Sequence, residues 1–118
     1  MAPELARVLV VDDNVEYAQN IAEILLIRGW AAEVYASAEE ALPIALAPRV
    51  QTVITDYRLP GMNGIELVRR VLSERTGVQA VVISADADDN AVDAARLLGA
   101  SFLPKPVDFS VLGRLIRA

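Results

Sequence analysis

The sequence contains neither cysteine nor histidine. Without cysteine, disulfides, thiol catalysis and thiolate metal sites are excluded. Without histidine, a histidine base, a Ser-His-Asp triad and most zinc sites are excluded as well. Any chemistry must use carboxylates, hydroxyls, lysine and the backbone. Positive charge is also scarce: 11 Lys and Arg stand against 16 Asp and Glu, a formal net charge of -5. Gripping a phosphate backbone needs a basic face, so direct nucleic-acid binding is not expected. No apolar run reaches the roughly 18–20 residues that a membrane-spanning helix needs. Met1 to Arg7 is short and mixed, unlike a secretory signal. The expectation is a soluble, cytoplasmic protein with no membrane contact.

Repeats, low-complexity segments and linkers are missing too. A chain of 118 residues fits one domain, expected to span 1–118. Its apolar fraction of 54% is enough to fill a core without staples.

What is present is an alternation of short apolar runs and amphipathic stretches. Arg7-Val8-Leu9-Val10-Val11 is a continuous β-branched run, as expected for a strand buried on both faces. After Asn14, apolar residues fall at Val15, Ala18, Ile21, Ala22 and Leu25, which is helical spacing, and Gly29 is a natural stop. Ala32 to Ala36 reads as a second, partly exposed strand. Ser37 can cap a helix to about Ala47, which Pro43 should shorten or kink. Thr52 to Thr55 is a third strand. Asn63 with Glu66 resembles a capping box that opens a helix to about Leu72. Ala80 to Ile83 is a fourth strand. Asp88 or Asp89 begins a helix ending near Leu98, with Gly99 as its stop. Ser101 to Leu103 is a short fifth strand, and Asp108 caps a last helix to about Arg117. Strands alternating with helices imply a parallel sheet with right-handed crossovers, an α/β doubly wound fold with helices on both faces. The first strand is the most apolar and should be central. Pro104 borders the fifth, which belongs at an edge.

In such a sheet the carboxyl ends of the strands line one crevice, where ligands bind. Strand one ends in Asp12-Asp13, strand three in Asp56 and strand four in Ser84, and strand five runs into Lys105. Singly, each has an ordinary structural explanation. Asp12-Asp13 can cap a helix, Asp56 can serve a turn, Ser84 can cap a loop and Lys105 can be a solvated charge. Together they converge. Three crowded carboxylates repel one another and call for a neutralising ion. A hard divalent cation with oxygen ligands suits them, and Mg²⁺ suits best because it needs only one or two protein carboxylates. A carboxylate can also attack phosphorus. Phosphoryl transfer then asks for positive charge and donors around the equatorial oxygens. Mg²⁺, Lys105 and the Ser84 hydroxyl would supply these. Asp56, alone at the middle of the sheet, is the candidate nucleophile.

At these residues the chain closely resembles the receiver domain of two-component response regulators. The matching segments are Val8-Leu9-Val10-Val11-Asp12-Asp13-Asn14, Asp56-Tyr57-Arg58-Leu59-Pro60-Gly61-Met62-Asn63-Gly64, Ser84-Ala85 and Lys105-Pro106. The resemblance implies a flavodoxin-like five-stranded sheet of order 2-1-3-4-5, with Asp56 as phosphoacceptor. Asp13, Asp56 and the backbone carbonyl of Arg58 would ligate Mg²⁺, or Mn²⁺ in its place, with Asp12 acting through a water. Ser84, Ala85 and Lys105 would contact the phosphoryl group, with the small Ala85 leaving that site open. Phe102 would be an aromatic switch partner of Ser84, and Lys105-Pro106 a cis peptide. Arg58 and Asp86 stand where the family tunes phosphoryl lifetime. Asn63 replaces a commoner aspartate and should cap equally well. The implied partners are a sensor histidine kinase or a histidine phosphotransfer protein, and an output face on helix four, strand five and helix five. The implied activity is a switch with self-phosphorylation and autodephosphorylation, and not a turnover enzyme.

Two other readings compete. A phosphohydrolase with an aspartyl phosphate, as in haloacid-dehalogenase-like enzymes, needs a second acid two residues after the nucleophile, and Arg58 occupies that position. A pseudo-receiver that is never phosphorylated would not need all five chemical positions. Trp30, Tyr17 and Tyr35 are assigned to packing or surface, and Gly77 to a turn.

Overall fold

The computed structural model describes residues 7–85 and 89–116. The expected domain limits at Met1 and Ala118, the helix start at Asp88, the flanking Asp86 and the helix end at Arg117 lie outside these residues. In chain order the elements are β1 (Arg7–Val11), α1 (Val15–Ile27), β2 (Ala31–Tyr35), α2 (Ala38–Ala45) and β3 (Val50–Asp56). They continue as α3 (Gly64–Glu74), β4 (Gln79–Ser84), α4 (Asp89–Leu97), β5 (Ser101–Pro104) and α5 (Phe109–Leu115). The five strands pair in parallel in the order β2-β1-β3-β4-β5. This is the doubly wound arrangement, with β1 beside the centre and β5 at an edge.

The pattern of apolar residues explains the two layers. Val8 to Val11 are fully buried because both faces of β1 are covered. On one face, Val8, Val10, Ile54 and Ile83 pack with Ala18, Ile21 and Leu25 of α1 and Leu112 of α5. On the other, Leu9, Val11 and Val53 pack with Ala38 and Ala41 of α2 and Leu67 and Val71 of α3. Ala95 of α4 joins Val68 and Val82 on that same side.

Local chemistry sets the helix ends. Asn14 accepts the Tyr17 N–H at 3.1 Å, Ser37 that of Glu40 at 3.1 Å, and Asp108 those of Ser110 and Val111 at 2.9 and 3.3 Å. α1 ends where Gly29 takes a φ of +97° and the Trp30 N–H turns back to the Leu25 carbonyl. The expected capping box of α3 is only half formed. Asn63 Oδ1 accepts the Glu66 N–H at 2.9 Å, but the Glu66 carboxylate pairs with Arg69 and Arg70 instead of reaching back. Charge-assisted bonds to two guanidinium groups outcompete a neutral backbone donor. α2 stops at Ala45, short of Ala47: the Leu46 N–H still reaches the Leu42 carbonyl at 3.2 Å, but the Ala47 N–H bonds the Ile44 carbonyl at 3.0 Å, a tighter turn that closes the helix, and Pro43 is accommodated within it.

Three strands run further than the apolar runs suggested. β3 spans Val50–Asp56, not 52–55, and β4 spans Gln79–Ser84. β5 includes Pro104, which pairs with Ser84 at the sheet edge. Polar Asp56 and Ser84 are therefore parts of the ladder, set at the ends of their strands. β2 and α3 differ from expectation by one or two residues at their ends.

Candidate functional site

The site forms because β1, β3, β4 and β5 finish at one edge. The Asp12 N–H donates to the Tyr35 carbonyl at 3.0 Å, which continues the β1–β2 ladder by one residue and buries Asp12 fully. Its carboxylate is not orphaned. Oδ1 accepts the Asn14 N–H at 3.0 Å and Oδ2 accepts from Lys105 Nζ at 2.8 Å. Asp56, 7% exposed, presents Oδ2 to the same ammonium at 3.5 Å. Asp13 is exposed at the rim. One carboxylate oxygen from each of Asp12, Asp13 and Asp56 lies within 4.8 Å of the others.

Three carboxylates against one ammonium leave the pocket with excess negative charge. Burial, followed by the charge of Asp12, pushes the Asp56 carboxyl above its ordinary range, and Lys105 offsets this only in part. Burial alone would lower Lys105. Its hydrogen bond to Asp12 and the charges of Asp12 and Asp56 outweigh that, so its pKa is raised. An all-oxygen donor set with surplus charge, partly open to solvent through Asp13, fits a hard divalent cation.

Ser84 and Lys105 are tied together by the backbone. Ser84 ends β4 one step beyond Ile83, the residue that pairs with Asp56. The Lys105 N–H donates to the Ser84 carbonyl at 2.9 Å. Ser84 is buried, and Ala85 after it is exposed. The Lys105-Pro106 peptide is cis. Arg58 lies in the loop after β3, its guanidinium 5.6 Å from the centroid of the Tyr57 ring. That loop is held by the Tyr57 N–H on the Ile83 carbonyl at 2.8 Å and the Gly64 N–H on the Tyr57 carbonyl at 3.0 Å.

Phe102 stands apart from this cluster. It pairs with Val82 in the β4–β5 register, is half-buried, and packs against a cluster that includes Val82, Ala95 and Ala100. It lines a cavity of about 450 Å³ bounded by Val92 and Arg96 of α4 and Val111 and Leu115 of α5.

Two residues beside the site were not legible in the sequence. Tyr17, assigned only to packing, accepts the Val107 N–H on its hydroxyl at 3.0 Å and lays its ring 4.8 Å from Lys105 Nζ. Its position in the first turn after Asp12-Asp13-Asn14 was the available signal. Glu39 reaches from α2 to the loop after β3, and nothing local marks it. No helix among the described residues is long and apolar enough to cross a membrane.

Comparisons with known proteins agree with this arrangement. The sequence profile of the response regulator receiver domain matches residues 8–117. A response regulator receiver protein of Anaeromyxobacter sp. (strain Fw109-5) is 41% identical over 104 residues, 87% of this chain and 44% of that protein. The chain spans about half the length of the curated relatives it matches first. Among solved structures, a response regulator receiver protein from Pseudomonas putida superimposes with a TM-score of 0.86 at 34% identity, covering 97% of both chains. A response regulator from Burkholderia pseudomallei, crystallised with a phosphorylated aspartic acid, calcium ion and citrate, gives a TM-score of 0.85 at 25% identity. The match covers 95% of this chain and 66% of that one.

Proposed function

This chain belongs to the family of response regulator receiver domains, and on that premise we propose that it accepts a phosphoryl group on Asp56 in a reaction requiring Mg²⁺. The observation that carries the proposal is Lys105 Nζ placed between the buried Asp12 and Asp56 carboxylates, with an Asp13 oxygen in reach. Asp13, Asp56 and the Arg58 carbonyl would hold the cation directly and Asp12 through a water. Mg²⁺, or Mn²⁺ in its place, would supply charge that draws the phosphoryl oxygens toward the site.

The chain's own residues then perform the transfer. An Asp56 carboxylate oxygen attacks phosphorus, the O–P bond forms, and the bond to the donor nitrogen or oxygen breaks. Lys105, held between two carboxylates beforehand, balances one equatorial oxygen. The Ser84 hydroxyl donates to another, the cation would face the third, and the small Ala85 leaves room for the phosphoryl group. The donor is a sensor histidine kinase or a histidine phosphotransfer protein, the partner class with which receiver domains work. Water later removes the group, so the cycle is that of a switch and not a turnover enzyme. Its place of action is the cytoplasm, where such partners present their phosphohistidine. A related regulator crystallised with a phosphorylated aspartic acid and a calcium ion supports the same chemistry here.

The test is labelling by acetyl phosphate or phosphoramidate with Mg²⁺, followed by intact mass. One base-labile phosphoryl group is expected on the wild type and none on Asp56→Asn. A group that persists in Asp56→Asn places the acceptor elsewhere.

A further inference from the structure

Glu39 sits in the first turn of α2, two residues past the Ser37 cap. A carboxylate there is favoured by the helix dipole, and that alone would explain an acid at this position. The geometry adds something the dipole does not require. Glu39 Oε2 accepts the Met62 N–H at 2.7 Å, across to the loop that follows Asp56. That bond is the first reason its carboxyl is held below the usual carboxylate range. Gly61, next to Met62, is shaped to the same oxygen. Its φ is +75°, and a Cβ placed on it would stand 2.5 Å from Oε2. A left-handed residue without a side chain therefore lets one carboxylate oxygen come close to the loop.

The loop matters because of what it carries. Its first anchor, the Tyr57 N–H, and its last, the Gly64 N–H, fix both ends to the sheet and to each other. Leu59 is buried in the core between them. Arg58 lies in this loop, and its carbonyl is the one backbone ligand proposed for the cation. α2 is packed onto the sheet, with Ala38, Ala41 and Ala45 fully buried in the cluster that includes Leu9 and Val11 of β1 and Val53 of β3. A bond from α2 to Met62 thus braces the loop from outside the sheet.

We propose that Glu39 is a positioning residue for the cation site: its bond to the Met62 N–H, admitted by Gly61, holds the loop so that the Arg58 carbonyl faces the cation. The inference rests on the Asp56 reading given above and deepens it. The bond acts on cation affinity first and on phosphorylation through it. Glu39 itself touches neither cation nor phosphoryl group.

The experiment compares Glu39→Ala and Glu39→Gln with the wild type. Mn²⁺ affinity is measured by electron paramagnetic resonance, and labelling by phosphoramidate is followed across Mn²⁺ concentrations. Loss of one charge-assisted bond should weaken Mn²⁺ binding by roughly five-fold in Glu39→Ala. Labelling should slow at low Mn²⁺ and recover when Mn²⁺ saturates. Glu39→Gln keeps an oxygen that accepts the same N–H without the charge and should fall between the wild type and Glu39→Ala. Glu39→Leu keeps the side-chain stem without an acceptor and should reproduce the weakening if Glu39→Ala folds poorly. Gly61→Ala strains its own left-handed turn as well as crowding the carboxylate, so its weakening counts for the bond only where it does not add to that of Glu39→Ala. Undiminished Mn²⁺ affinity in Glu39→Ala and Glu39→Leu overturns the role of Glu39 while leaving Asp56 standing. Equal losses in Glu39→Gln and Glu39→Ala also overturn it, because charge and not the bond would then be the cause. A wild type that binds no Mn²⁺ overturns this inference and the Asp56 reading together.

Discussion

Gly64 stands so close to Asp56 that no side chain fits between them. A Cβ built on Gly64 would come well inside 3.0 Å of the Asp56 carbonyl oxygen. The same oxygen accepts the Thr55 hydroxyl at 3.0 Å. The start of α3 therefore presses on the peptide that carries the candidate acceptor, and glycine is what permits it.

Gly64→Ala is expected to destabilise the fold by about 1–3 kcal/mol, the usual cost of forcing a methyl group into a packed site. Urea denaturation measures it. Labelling of Asp56 should slow as well, because the strain is relieved by moving its backbone. Wild-type stability in this variant would show that α3 can shift freely.

Tyr17 separates two contributions. Tyr17→Phe leaves the buried Val107 N–H without its acceptor and should cost about 1–3 kcal/mol. It keeps the ring beside Lys105, so labelling should persist. Tyr17→Leu removes the ring too and should slow labelling. Equal labelling rates in the two variants would remove any role for the ring in placing Lys105.

Charge crowding gives a pH dependence in the metal-free protein. The folded pKa of Asp56 lies above its ordinary value of 3.8. Between those two values the folded state binds more protons than the unfolded state. The contribution of Asp56 to stability is thus fully present below about 3.8 and is lost as pH rises through its folded pKa. Asp56→Asn cannot ionise, so without metal it should be more stable than the wild type at neutral pH and should show less loss across that window. Urea midpoints against pH check this. A wild type that gains on the variant as pH rises would reverse the sign.

Cation removal follows the same logic. Mg²⁺ should raise the melting temperature of the wild type by mass action. Asp13→Ala should bind Mg²⁺ more weakly and, without metal, melt higher than the wild type. Melting lower without metal would contradict repulsion among Asp12, Asp13 and Asp56.

The signalling consequence concerns Phe102. It lies half-buried beside a cavity bounded by α4 and α5, so its ring has room to move. Beryllofluoride stands in for the phosphoryl group. It should shift amide resonances of α4, β5 and α5 and leave α1 nearly unchanged, and Ser84→Ala should blunt those shifts. Allosteric couplings of about 1–3 kcal/mol are usual, so a weakly populated active form is expected beforehand. Shifts confined to the metal pocket would leave a phosphate carrier without a switch.

Much of this protein was determined by the sequence alone. The β-branched run Arg7 to Val11, the helical spacing after Asn14 and the caps Ser37, Asn63 and Asp108 are signals carried within a few residues. Their alternation fixes a parallel α/β sheet, and parallel strands bring their ends, with Asp12, Asp13, Asp56, Ser84 and Lys105, to one edge. Which oxygen faces which nitrogen was decided only by tertiary structure. Lys105 meets Asp12 across 93 positions of chain, the Val107 N–H meets Tyr17 across 90, and the Met62 N–H meets Glu39 across 23. Periodicity reports which face of an element is buried, not which distant partner a polar tip will find. Those pairings depend on how helices dock on the sheet, and no local run of residues encodes that.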